Sequence, residues 1–439
     1  MAQLSVSIHR GAHEIGGSCI ELCSRNTRII LDIGIPLVQA DGTPFNMHDY
    51  AGLDEAGLLK RSVLPRVRGL YKHQKPTVDA VIISHAHQDH YGFLKYIHPD
   101  IPVYMSDGTH KLIELSAIFS GGAAVPGQVR TFVWHTPVRI GAFTLVPHLV
   151  DHSSASAFAF EIEAEGKRIF YSGDFRGHGH IGEQALGALY GSCRPGVDAL
   201  LLEGTTLGRE AEPMQTEADL ALEATALCRE TGKAVLVYQS GQNISRAVSF
   251  FKAAQSSWRW FVPDFYTAHV LTELSRCSGG TNLPRPGQFK TVRVWFPSQL
   301  TRRLTRHGHR DLVEGYRPYE MTLDDIGRHS NEVLIFVRPG MEHDLDRIPN
   351  LEGGTLVYSL WEGYRDQERT RSFLNHLESR SVTVKSLHTS GHAGISDLQR
   401  MANALQPKLI IPVHTFHPEE YAKYFPFPIA SSPSGHYEL

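Results

Sequence analysis

The run HAHQDH puts His85, His87, Asp89 and His90 directly after the apolar stretch VDAVIIS (78–84). Two imidazoles at i and i+2 on a loop converge on one ion, and Asp89 and His90 can reach a second ion beside it. Imidazole and carboxylate at this density select zinc or a related borderline metal. The tail carries two further junctions of this kind, HTSGHAG after VTVKSLH and IIPVHT near 410–415. A pair of metals lowers the pKa of a water toward neutrality and offsets charge on a phosphorus ester. The leaving oxygen then needs a proton, and His392, oriented by Glu203, is the candidate general acid. His388 and Ser390, with the backbone of the Gly391 loop leading into a helix, are candidates for holding a neighbouring phosphate.

These residues need strands to mount them. SCIELCS, TRIILDIG and VDAVIIS read as strands, and further ones are expected at 101–105, 131–134, 140–147, 157–163, 167–172 and 197–202. YGFLKYI, after the histidines, reads as an amphipathic helical stretch. The texture changes near residue 206. Thr216 with Asp219 caps a helix that ends at Gly232, and AVLVYQS (234–240), EVLIFVR (332–338) and GTLVYSL (354–360) are strands alternating with helices near 243–255 and 366–379. That alternation predicts a parallel sheet in a second domain. The tail returns to strand, His, helix (396–405), strand, His.

Composition excludes other classes. Charged residues are 20% and hydrophobic residues 41% of 439, so disorder, collagen and coiled coil are excluded. With 43 Lys plus Arg against 46 Asp plus Glu, no global charge draws the chain to a polyanion. No apolar leader opens the sequence and no apolar run is long enough to span a bilayer, so a cytoplasmic protein without a membrane partner is expected. Five cysteines, an odd number without a second CxxC, argue against a disulfide framework or a Cys-type zinc site; Cys19 and Cys23 read as buried small residues.

HxHxDH resembles the signature of the metallo-β-lactamase superfamily, and the other motifs of that family occur in order. Asp32 in IILDIG matches the acid that supports the ligands from behind, His152 in VDHSS the third-motif histidine, and Asp174 in FYSGDF the bridging carboxylate. The resemblance implies that His85, His87 and His152 hold one metal while Asp89, His90 and Asp174 hold the other, with Asp174 shared. Beyond Asp174 the chain resembles the β-CASP nucleases, with Glu203 as motif A, His392 as motif B and His414 as motif C, which completes the second metal's ligands. His414 points to the RNA-processing branch.

GAHEIGGSCIEL, LDIGIPL, the SGQNISR turn with Asn243, and the HxSGHA loop (His388, Ser390, Gly391, His392, Ala393) look like ribonuclease J. Glu203 in EGTT departs from the Asp usual there and looks like the polyadenylation branch. The implied fold is α/β: a metallo-β-lactamase αββα sandwich in residues 1–205 and 386–439, with a β-CASP domain on a parallel sheet inserted at 206–385.

The implied activity is a two-zinc ribonuclease, 5′→3′ exonucleolytic, with Asp89, Glu203 and His392 catalytic and Mn2+ or Mg2+ as substitute ions. A β-CASP endoribonuclease is the alternative within the group, and a small-molecule metallohydrolase of thioesterase or lactamase type is the alternative from another class. The substrate expected is single-stranded RNA rather than DNA. KRSVLPRVRGLYKHQK (60–75) and RRLTRHGHR (302–310) are basic runs suited to phosphate contacts. Tyr71, Trp258, Trp260 and Tyr266 read as core aromatics, and His178 and His180 as surface residues. The chain stops 25 residues after His414, without the C-terminal domain through which such chains usually pair, so the oligomeric state stays open between monomer and homodimer.

Overall fold

The computed structural model describes residues 4–39, 42–120, 125, 127–209, 214–277, 282–432 and 434–439. The chain forms two compact units, one of Met1–Glu114, Ala123–Pro213 and Gly391–Leu439, the other of Leu115–Gly122 and Met214–Ser390. The units part after Pro213 and after Ser390, not at the 205/206 and 385/386 positions read from sequence. Packing gives the reason. Leu207 is buried in the core of the first unit and Thr206 donates to Ala393 O, whereas Leu387 N still donates to Tyr358 O of the second.

The first unit is built on two sheets. One contains β1 (Leu4–Arg10), β2 (Cys19–Ser24), β3 (Thr27–Leu31), β4 (Ala80–Ile82), β5 (Val103–Ser106) and β6 (Val129–Phe132) in that order, with His436–Glu438 beside β1. The antiparallel β1–β3 hairpins give way to a parallel run from β3 to β6, and β4 at its centre is buried throughout, as a strand covered on both faces must be. The other sheet contains β7 (Val138–Ile140), β8 (Phe143–Val150), β9 (Ala157–Ala164), β10 (Lys167–Tyr171) and β11 (Ala199–Glu203), with Ile410–Val413 added in parallel to β11.

Ile20, Leu31 and Ile82 of the first sheet pack with Phe158, Phe160 and Leu201 of the second in one core. The opposite face of the second sheet buries Phe170, Leu186 and Met401 under helices Gly182–Ser192 and Ile395–Leu405. This is the layered α/β sandwich expected.

YGFLKYI is not one helix. A single turn at Gln88–Tyr91 is followed by a 3-10 turn at Leu94–Tyr96, because Phe93 N leaves the helical ladder to donate to Ile33 O at 3.0 Å.

The second unit is a five-stranded, all-parallel sheet: β12 (Val235–Tyr238), β13 (Trp260–Val262), β14 (Val333–Phe336), β15 (Thr355–Tyr358) and β16 (Thr383–Ser386), in the order β13-β14-β12-β15-β16. Helix Glu217–Glu230 starts with the capping box read from Thr216 and Asp219.

Of the four aromatics, Tyr71 is fully buried, and Trp260 and Tyr266 are half-buried. Trp258 is 92% exposed, contrary to the core reading. It occupies a left-handed turn (φ 58°) after helix Ile244–Ser256 and points out, while its neighbour Arg259 turns inward and donates to the carbonyls of Cys228, Lys233 and Val333. Both basic runs are solvent-exposed along their Lys and Arg residues. Among the described residues no helix is long and apolar enough to cross a membrane.

Candidate metal centre

Seven of the residues singled out in the sequence meet at strand ends of the first unit. His85, His87, Asp89 and His90 follow β4, His152 follows β8, Asp174 follows β10, and His414 follows Ile410–Val413. Five of the seven are buried and His87 and Asp89 are half-buried, and their ligand atoms fall into overlapping groups that could each hold an ion: His85, His87 and His152; His85, His90 and Asp174; Asp89, His90 and His414; and Asp174 and His414 with Glu203 and His392. The backbone is forced to bring them together. Asp32 (φ 58°) and His414 (φ 52°) both sit in the left-handed region, and Asp32 leads into Gly34, where any Cβ would collide with the carbonyl of Asp89.

Hydrogen bonds on the outer nitrogens set the tautomers. Ser84 Oγ donates to Asp32 Oδ2 at 2.8 Å and so accepts from His85 Nδ1 at 3.0 Å. His152 Nδ1 donates to Gly391 O at 2.5 Å. This leaves Nε2 of both rings as lone pairs, 3.1 and 3.0 Å from His87 Nδ1. The second group repeats the pattern. His90 Nδ1 donates to Asp32 Oδ2 at 2.8 Å, which leaves Nε2 facing Asp174 Oδ2 at 3.1 Å. Thr205 Oγ1 donates to Glu203 Oε2 and accepts from His414 Nδ1, which leaves His414 Nε2 against Asp89 Oδ2 at 3.3 Å.

In the second half acceptor thus faces acceptor, and neither Asp174 oxygen nor His90 Nε2 has a hydrogen-bond partner; in the first, the Nε2 lone pairs of His85 and His152 converge on His87 Nδ1. Buried groups are left this way where a cation belongs between them. The donor set, imidazole and carboxylate without sulfur, fits zinc.

Electrostatics agree. Burial, with neighbouring imidazoles, holds His85 and His152 well below the ordinary histidine value, and burial brings His87 to about 4, so these rings are neutral ligands. Burial works against charge on His90 too, but Asp174, Asp32 and Asp89 outweigh it and raise His90 well above that value. Asp174 is held well below the carboxylate range: His414, His90 and His392 overcome its desolvation.

His392 borders this cluster. Its Nδ1 is 3.0 Å from Glu203 Oε2 and 3.7 Å from Asp174 Oδ2, and its side chain keeps 21% exposure, against 2% for Asp174. Glu203 is anchored by Phe175 N at 2.9 Å and Thr205 Oγ1 at 2.7 Å, so it orients the imidazole rather than moving with it. Glu203 and Asp174 outweigh burial and raise His392.

Asn243, His388 and Ser390 lie in the second unit. Asn243 caps helix Ile244–Ser256 by accepting from Arg246 N, and the Arg246 guanidinium comes within 3.4 Å of His388 Nδ1. Asn243 and His388 are thereby linked through Arg246, a residue passed over in the sequence.

Other supporting residues went unread. Tyr171 donates to Asp32 Oδ2 at 2.7 Å, and the buried pair Arg176–Asp151 at 2.8 Å ties the Asp174 loop to the residue preceding His152. Each lies within three residues of a motif, which is the signal that could have flagged it.

Residues 51–238 match the beta-lactamase superfamily domain, and residues 379–424 match the Zn-dependent metallo-hydrolase RNA specificity domain. The chain is 23% identical over 380 residues to Ribonuclease J of Sinorhizobium meliloti, covering 80% of this chain and 60% of that one. It is 25% identical over 429 residues to Ribonuclease J of Mycobacterium tuberculosis, covering 94% and 68%. It is also 29% identical over 250 residues to the transcription termination factor FttA of Methanothermobacter thermautotrophicus, covering 52% and 36%. The chain thus spans about 60% or less of the length of the first two relatives by match strength, S. meliloti Ribonuclease J and FttA. A crystal structure of a protein of unknown function from Enterococcus faecalis superposes over the full length of both chains with a TM-score of 0.77 at 22% identity.

Proposed function

From a chain that is ribonuclease J-like and carries a beta-lactamase superfamily domain, we propose a two-zinc ribonuclease that hydrolyses phosphodiester bonds of single-stranded RNA, 5′→3′ from the end. The observation that carries this reading is the set of adjoining ligand groups around Asp174, whose unpartnered Oδ2 lies 3.1 Å from His90 Nε2 and 3.8–3.9 Å from His85 and His152 Nε2, with His392 held by Glu203 beside them. The match of residues 379–424 to an RNA specificity domain supports RNA as the substrate.

His85, His87 and His152 would hold one ion and Asp89, His90 and His414 the other, with Asp174 between. Bound zinc would supply Lewis acidity, making a water acidic near neutral pH and offsetting charge that builds on phosphate. The chain's own residues do the rest. Asp32 and Ser84 hold the His90 and His85 rings in the tautomers that present Nε2 inward. Burial excludes bulk water from the cluster. His392, at the open side, delivers the proton to the leaving oxygen from its Nε2 while Nδ1 stays on Glu203. In the second unit Asn243, His388 and Ser390 would contact phosphate, as would the basic run at 302–310, and in the first unit the Gly391 backbone and the basic run at 60–75 would do so.

The test is zinc-loaded protein with 5′-labelled RNA and matched DNA. Release of 5′ mononucleotides from RNA alone, reduced about 10²–10⁴-fold in His392→Ala, is the expected outcome. Internal fragments would replace the exonuclease with an endonuclease, the reading that Glu203 in EGTT favours. Turnover of esters or lactams without RNA cleavage would overturn the proposal.

A further inference from the structure

Among the described residues, one other group of metal-ligating side chains lies outside this centre: His148 on β8, Glu161 on β9 and Cys193 just beyond helix Gly182–Ser192. We infer that these three form a separate, sulfur-containing site for a zinc-type divalent cation, which clamps the two strands to the end of the helix. The inference is independent of the ribonuclease reading.

The geometry is that of a ligand set. Cys193 Sγ is 3.6 Å and Glu161 Oε2 is 4.0 Å from His148 Nε2, and all three donor atoms lie within 4.8 Å of one another. A tetrahedral zinc with ordinary bond lengths separates sulfur from nitrogen by about 3.6 Å and oxygen from nitrogen by about 3.4 Å, so Cys193 and His148 already stand at ligand spacing and Glu161 has to move inward.

The supports are in place as well. Ser192 Oγ donates to Leu189 O and stands 3.5 Å from His148 Nδ1, able to accept its proton and leave Nε2 as the lone pair toward sulfur. Arg168 Nη1 holds Glu161 Oε1 at 3.1 Å, which turns the other carboxylate oxygen to the ring. His148 and Cys193 are 2% and 8% exposed.

Charge and chemistry fit this occupant. Burial, with His135 nearby, brings His148 down to about 4, so the imidazole is neutral and ready to bind. Burial, with the Glu161 charge, pushes the Cys193 thiol up to about 12, so the metal-free protein holds a thiol. Binding releases that one proton to solvent, and the thiolate and carboxylate then neutralise a 2+ ion. One sulfur, one nitrogen and one oxygen donor exclude the hard cations Mg2+ and Ca2+ as the preferred guests. A water would complete the tetrahedron as the fourth ligand.

The test uses sulfur as its label, because the His/Asp centre contains none. The 439-residue chain, stripped of metal, is titrated with Co2+ and followed by near-ultraviolet absorption. A thiolate-to-cobalt charge-transfer band is expected in the parent chain and in Asp174→Ala. In Cys193→Ser the band is lost and bound cobalt falls by one equivalent, with hydrolytic activity unchanged. No band at saturating cobalt, or a band that survives Cys193→Ser, overturns the site. If Cys193→Ser does not fold by circular dichroism, the parent chain decides alone: zinc should slow alkylation of Cys193, read by mass spectrometry, at least tenfold, and equal rates with and without zinc overturn the site.

Discussion

Two fully buried groups of charges, one in each unit, are built in opposite ways. In the second unit Arg246 Nε reaches both oxygens of Glu217 at 3.1 Å, its other nitrogens reach Ser359 Oγ and Thr389 O, and Ser249 Oγ donates to Glu217 Oε2. No atom of this pair lacks a partner. In the first unit Asp174 is buried as well, yet both of its oxygens are without a hydrogen bond, with His90 Nε2 3.1 Å from Oδ2. Unmet electrostatic demand distinguishes a place for an ion from a structural ion pair, since burial and charge are common to both.

The largest effect that tests this contrast is on Asp174. Asp174→Ala should lower bound zinc from two ions to one or fewer per chain and RNA hydrolysis by more than about 10³-fold, beyond the cost of deleting one electrostatic stabiliser. Loss of bound zinc is the outcome that separates the two groups, and a variant that still bound two ions would make them alike and break the comparison.

Glu217→Ala should do the reverse, destabilising the second unit by about 3–5 kcal/mol in denaturant titrations while leaving bound zinc unchanged. Replacing Glu217 and Arg246 together with Leu and Met should recover most of that loss. Asp32→Asn sharpens the contrast from the supporting layer: zinc should bind about 10–100-fold more weakly in competition with a chelator, because His90 loses the acceptor that fixes its tautomer.

The smallest effect belongs to a half-buried group between the two extremes. Burial opposes ionisation of Glu21, but hydrogen bonds from His9 and Arg28 outweigh it and bring its carboxyl to about 2. A folded value below the unfolded one means that the stabilisation is complete above about pH 4.5 and is lost as pH falls toward 2. Glu21→Gln should flatten stability across that window by about 1 kcal/mol after solvent screening. A flattening at pH 6–8 instead would contradict the assignment.

How much was readable in advance follows from how local each feature is. HAHQDH is six consecutive residues on a loop after an apolar strand, so its chemistry is visible without a fold, and the Thr216–Asp219 capping box is equally local. Asp32, His152, Asp174 and His414 are separated by up to hundreds of residues, and only their match to ordered motifs linked them. Trp258 was misread because composition rewards burying an aromatic, while a left-handed turn after a helix leaves its side chain outside. The Ser84–Asp32–Tyr171 support, the Arg176–Asp151 tie and the Arg246–Glu217 pair were missed because each joins residues on different strands or helices.

The sequence by itself determined most of the elements that mount the site, the alternation that makes the second sheet parallel, and the identity of the ligand types, since periodicity, caps and donor chemistry are properties of neighbouring residues. Only the tertiary structure decided which nitrogen of each histidine faces inward and which carboxylates stay unsatisfied. It also decided that His148, Glu161 and Cys193 meet at all. Those outcomes depend on distances between separate strands and on exclusion of water, neither of which exists until the sheets have packed.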